Sequence, residues 1–268
     1  MSIKLNGRRS LRLVLVIASL AFSACGSRSE EASSASASPS DTPVPVAQLL
    51  CQADDDFANR ADLGRVREGL KTLRRVRAVE HGNYEAAWRA ARLDYLIGDR
   101  GSDDKEREQA FNEGIEAGET ATKAEPGRVE GHFWLGANYG GYAKFKGAIY
   151  GAAYVEKVRR EMEMVLKLDE SFEGGSAYLA LGQLDLELPQ VLGGDAARAA
   201  QTLEKGLRYG ANNSLLHLRL AEAYLHLKRR DDARRELNWI VNAKPSPDYL
   251  PEHGQALKGA RELLDKSF

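Results

Sequence analysis

The chain has 268 residues, 43% of them apolar, with 38 basic and 39 acidic side chains. That length suits one large domain or two small ones, and the near-zero balance hides an asymmetry: the first 24 residues hold Lys4, Arg8, Arg9 and Arg12 and no acid, leaving −5 on the remainder. A mildly acidic body without a basic tract lacks the electrostatic footprint of a nucleic-acid binder, so no nucleic-acid partner is expected.

Residues 1–24 have the three parts of an export signal: a basic "MSIKLNGRRSLR", an apolar "LVLVIASLAF" and a small-residue end at "SAC". The apolar run is too short for a comfortable membrane span. Its close, "FSAC", resembles the lipobox of bacterial lipoproteins, although Phe22 stands where Leu, Val or Ile is usual. Cys25 is therefore expected to be lipidated and to become the first mature residue; the alternative is a plain secretory signal cut near Ala24. Residues 25–45 are Ser/Ala/Pro-rich and nearly free of large apolar side chains, so they read as a flexible tether. Gly26 after Cys25 resembles a sorting pattern for the outer membrane of a Gram-negative host.

From Val46 to Phe268 the pattern is amphipathic helix with little strand-like alternation. Cys51 is the one cysteine of this region and is expected as a small thiol on an apolar helix face. The 34-residue tetratricopeptide template fits Ser214 to Pro247 without gaps: Leu220 takes position 7, Ala221 position 8, Tyr224 position 11, Ala233 position 20 and Pro245 position 32. Earlier units fit once the chain between their two helices is lengthened. In "GHFWLGANYG", Leu135, Gly136 and Tyr139 take positions 7, 8 and 11, and about ten residues must be skipped before the second helix. "SAYLALGQLDL" is followed by about five extra residues, "PQVLG". "YEAAWRAARLDYLIGD" is followed by a charged stretch, "RGSDDKEREQA". These last two units place Asp185 and Asp94 where the template wants an aromatic ring.

The expected architecture is thus an all-α, tetratricopeptide-like solenoid of helical hairpins with elongated intra-repeat connections. A degenerate pair at 46–82 opens it and a capping helix, "PEHGQALKGARELLDKSF", closes it. Insertions at one place in successive repeats emerge on one edge, where surface elaboration usually means function.

Positions 5 and 12 of each repeat share the concave face. They read Trp88, Phe133, Leu179 and Leu218, then Tyr95, Gly140, Leu186 and Leu225. This apolar, aromatic groove either holds an apolar ligand or is filled by the protein's own helices. The glycine- and tyrosine-rich stretch Tyr139 to Val158 lacks the Walker pattern and reads as an enlarged repeat turn, with Tyr142, Tyr150 and Tyr154 free to line a cavity mouth. The five histidines have no metal-ligand spacing, no nucleophile motif is present, and no enzyme activity or cofactor is expected. His132 and His217 fall at repeat position 4, a packing slot. Gly193 and Gly194 are expected to turn the chain, with Asp195 capping the next helix.

Together, "NYEAAWRAARLDYLIGD", "FNEGIEAGETATKAEPGRVEGHFWLGANYG", "LDESFEGGSAYLALGQLDLELPQVLGGDAARAAQTLEKGL" and "LAEAYLHLKRRDDARRELNWIV" resemble the T component of tripartite ATP-independent periplasmic (TRAP) transporters over nearly all of 46–268. The resemblance implies a lipid-anchored periplasmic protein with an internal cavity or pore. It also implies association with a periplasmic solute-binding protein, a homo-oligomer, and uptake of a small apolar or amphipathic solute. The competing expectation is a periplasmic scaffold whose groove docks a peptide or helix and takes no small molecule.

Overall fold

A computed structural model describes residues 44–147, 151–244 and 250–268, with the side chains of 250–252 left out. Cys25 and Tyr150 lie outside the described residues. Among the described residues there are eleven α-helices and no strand. They pair as α1 (Val46–Ala58) with α2 (Leu63–Val79), α3 (Tyr84–Arg100) with α4 (Asp104–Ala124), and α5 (Val129–Lys146) with α6 (Val155–Leu168). The pairs α7 (Ser176–Glu187) with α8 (Ala196–Gly206) and α9 (Ser214–His226) with α10 (Arg230–Asn242) follow, and α11 (Leu250–Ser267) closes the stack.

Local chemistry sets several helix starts. The side chains of Asp62, Asn83, Asp103 and Asn213 each accept a backbone N–H from the first turn of α2, α3, α4 and α9. Asp195 does the same for α8, accepting from Ala197 and Arg198 at 2.8 and 3.0 Å, and Gly193 has the left-handed φ of 91° that the preceding turn needs.

The repeats are held by two recurring polar pins. At position 11 the Tyr139 hydroxyl donates to Glu119 at 2.7 Å and the Tyr224 hydroxyl to Glu204 at 2.8 Å, each reaching back 20 residues to the second helix of the preceding pair. Asp94 occupies the same slot with polarity reversed, 20 residues after Arg74, whose guanidinium lies 4.0 Å away. Asp185 is met by two arginines, Arg159 at 2.8 Å and Arg198 at 2.7 and 2.8 Å. Asp185 is thus a buried acceptor of two guanidinium groups, whereas buried Asp94 stands at ion-pair distance from Arg74 and its Oδ1 accepts no hydrogen bond. Burial, reinforced by Glu113, holds the Asp94 carboxyl well above the usual carboxylate range.

At position 4, His132 faces Glu161 through Nδ1 at 2.7 Å and the Pro126 carbonyl through Nε2 at 3.0 Å. His217 repeats this with Glu236 and the Ala211 carbonyl at the same distances. The histidines are 85 residues apart and their glutamates 75, so the chain between the two helices is ten residues longer in the earlier repeat.

The extra length takes two forms. In the α3–α4 pair it lengthens the helices: only residues 101–103 are non-helical, and most of the charged stretch is the first two turns of α4. In the next two pairs the described part of the extra chain is a 3₁₀ turn at Ala152–Tyr154 and the segment 188–195. The buried apolar side chains form two clusters rather than one unbroken core, and they meet on α7: Ala177, Ala180 and Leu181 belong to the first and Leu179 to the second. Cys51, expected as a lone core thiol, is half-buried on α1 and is not a free thiol.

The Glu161 carboxylate raises the His132 pKa against the opposing effect of burial. A raised folded-state pKa stabilises the fold below the ordinary histidine value and ceases to do so as pH rises through the raised one. His132→Gln is expected to cost more stability at about pH 5.5 than at about pH 9, read by urea unfolding. Equal penalties at both pH values would contradict the charged pin.

Candidate functional site

The site is built where α5 and α6 diverge. A Cβ on Gly136 would lie 2.6 Å from Met162 Cε and 3.1 Å from Glu161 Cβ, so the two helices are pinched together at this point. Beyond the pinch, α5 presents Gly136, Gly140 and Ala143 on this face, spaced as one helical stripe, with Lys144 beside them. The helix ends at Gly147, whose φ of 82° releases the chain into the insertion, and the insertion returns through a 3₁₀ turn at Ala152–Tyr154. α6 therefore starts away from α5, and a cavity of about 330 Å³ opens between them and α7.

Val155, Val158 and Met162 of α6 form one wall, and Ala180 and Leu184 of α7 the facing one. The second insertion supplies the rim through Leu188, Pro189 and Leu192. The two stretched connections thus converge on one cavity, as insertions on a shared edge should. Its polar groups are few. Lys144 is half-buried in the wall, and the buried Gln183 amide donates to Glu187 at 2.6 Å. An apolar space of this size with a cation and an amide–carboxylate pair suits a small apolar or amphipathic molecule. A smaller, more polar cavity lies on the other side of the same pair, lined by Gln183, Leu186, Glu187, Arg219, Glu222 and His226.

The side chains singled out from the sequence are placed elsewhere. Tyr142 and Tyr154 stand edge-to-face at 5.3 Å, and Tyr142 meets Phe111 at 6.3 Å, behind the glycine face and not among the cavity-lining residues. Trp88, Tyr95, Phe133 and Leu179 are buried in the apolar clusters, with Phe133 fully covered. Leu186 lines the smaller cavity. The tyrosine–glycine stretch holds the site, but Gly140, Gly147 and Gly151 line the space and Tyr142 and Tyr154 back it. Gln183, Met162 and the rim residues escaped notice; the legible signal for the rim was the "PQVLG" insertion.

Among the described residues no group of acidic, histidine or cysteine side chains is arranged to hold a metal ion, and no helix is long and apolar enough to cross a membrane.

The family model described as "TRAP transporter T-component" matches residues 47–267. The chain belongs to the TRAP transporter T-component family. A thermophilic TPR protein of Thermus thermophilus, TTC0263, is similar in structure to this T component. Its TM-score is 0.58 at 19% identity, covering 80% of this chain and all of that one, which shows a shared tetratricopeptide fold. The MamA protein superposes with a TM-score of 0.48 at 14% identity, covering 83% of this chain and 96% of that one. No curated protein sequence matches. A helical-repeat component of a transporter system accounts for both family and fold.

Ala152 is exposed at the mouth of the cavity, so Ala152→Trp should obstruct the space while changing stability by less than about 0.5 kcal/mol. An uncharged naphthyl dye titrated by fluorescence is expected to bind the native protein and to bind this variant at least about tenfold more weakly. Unchanged dye affinity would remove the cavity as the binding place.

Proposed function

We propose that this T component assists solute uptake by a TRAP-type transporter, holding a small apolar or amphipathic solute in the cavity between α5, α6 and α7. It exchanges that solute with a periplasmic solute-binding protein. The observation that carries the reading is the convergence of two insertions on a largely apolar cavity at one edge of the solenoid. A helix stack needs neither insertion to bury its apolar faces, as the ungapped α9–α10 pair demonstrates.

The mouth suits a docking partner. Leu192 on the rim is 52% exposed and its chain neighbour Val191 is 91% exposed, so an apolar surface continues outward from the cavity. A solute-binding protein seated there would cover these side chains and receive the solute without its passing through water. The body would hang from a lipid on Cys25 at the periplasmic side of a bacterial membrane, the outer one by its Gly26. Residues 26–45 reach at most about 70 Å when fully extended, which leaves the body free to meet its partners. A lipid on Cys25 occupies its sulfur, so the anchored form carries no bridge between Cys25 and Cys51.

Affinity capture of the tagged full-length protein from membranes of its own bacterium tests the reading. Native mass spectrometry of the captured material is expected to show a periplasmic solute-binding protein, a homo-oligomer and a bound small molecule. Digestion is expected to give an acylated N-terminal peptide beginning at Cys25. Capture without any solute-binding protein or small molecule would overturn the uptake role, and an unacylated peptide would overturn the anchor.

A further inference from the structure

The connection from α6 to α7, residues 169–175, reaches back across the first helices of two earlier repeats. The Phe172 ring meets Phe133 of α5 edge-on at 5.3 Å. The Glu173 charge acts on the Arg92 guanidinium of α3. Phe133 and Arg92 hold repeat positions 5 and 9, which lie one turn apart on the concave face shared with Trp88. Phe172 and Glu173 are 6% and 9% exposed, so the chain's own turn fills this part of the groove.

The turn is held at a cost. Glu173 has φ 49°, and Gly174 and Gly175 follow at 60° and 76°. A left-handed backbone is unfavourable for a residue with a side chain, and the two glycines that follow can change conformation without that penalty. Beneath the turn, Arg92 is 9% exposed and lies over the Phe57 ring at 3.7 Å and the Trp88 ring at 4.8 Å. Its Nη2 donates to Asp54 at 2.7 Å, yet its Nε–H has no hydrogen-bond acceptor. Arg89 also faces Asp54, so that carboxylate is shared between two guanidinium groups. A buried planar cation, stacked on rings and with a donor unspent, is arranged for a further carboxylate.

We propose that Phe172 and Glu173 form an internal plug of the concave groove, and that the groove's partner is an extended segment of another protein presenting an aromatic side chain beside a carboxylate. The partner's ring takes the place of Phe172 on Phe133, its carboxylate takes Arg92, and the turn at 173–175 swings out. This binding site is separate from the solute cavity and does not depend on it.

A fluorescent peptide copying residues 170–175, with a control carrying lysine at the position of Glu173, tests the plug on the full-length protein. Phe172→Ser combined with Glu173→Gly is expected to bind the peptide at least about tenfold tighter than the native chain. Adding Arg92→Gln should abolish the gain, and the lysine control should bind neither protein. An emptied variant that binds no tighter, or that takes both peptides equally, would overturn the proposal. Should that variant not unfold cooperatively, hydrogen exchange of the native protein decides. A saturating excess of the peptide should speed exchange at 169–175 relative to α6 and α7, and unchanged exchange there would overturn it.

Discussion

The stack depends on the contact between the first helix of each pair and the second helix of the pair before. Apolar faces supply the area, but the polar pins at position 11 fix the register. Tyr139 reaches Glu119 and Tyr224 reaches Glu204, both at a spacing of 20 residues. A hydroxyl or carboxylate buried without its partner costs about 1–3 kcal/mol, so sliding one helix by a turn would strand several such groups at once. Extra chain can therefore enter only where no pin is disturbed, and that place is the connection inside a pair. The position-4 histidines record this: each keeps its glutamate and its carbonyl although ten more residues separate the two helices in one case.

The cavity is what the inserted chain leaves when the pins hold. α5 and α6 must still meet at Gly136 and Met162, so the insertion spreads their far ends. The small residues of α5 keep that space from being filled by its own side chains. The same geometry explains why the apolar core divides on α7, which is buried along most of its length yet has the cavity on one face. On the concave side the opposite happens, since the turn at 169–175 occupies the groove with Phe172 and Glu173. One molecule thus has an open apolar cavity at its edge and a plugged groove at its centre.

Much of this was legible from residue order. The spacing of Leu220, Ala221 and Tyr224 gave the hairpin, the skipped residues gave the insertions, and their common location in the repeat gave the edge. What stayed hidden depended on contacts distant in sequence. The charged stretch after α3 reads as a loop because its apolar stripe is sparse, yet Asp103 caps it as helix and Arg67 of α2 holds Glu106 at 2.6 and 2.9 Å from 39 residues away. The tyrosines look like cavity lining because rings with polar tips often are. Phe111 draws Tyr142, and Tyr139 draws Tyr154, to the other side of α5. Whether the groove was open could not be read at all, because the plug comes from a turn between repeats that the repeat template leaves unspecified.

The central claim is that the ten-residue insertion builds the cavity and is dispensable for the stack. Excising residues 144–153 from the full-length protein and titrating the uncharged naphthyl dye tests it most directly. The shortened chain should keep its helix content and cooperative unfolding while losing dye binding. Dye bound with unchanged affinity, or a chain that no longer folds, would contradict the account.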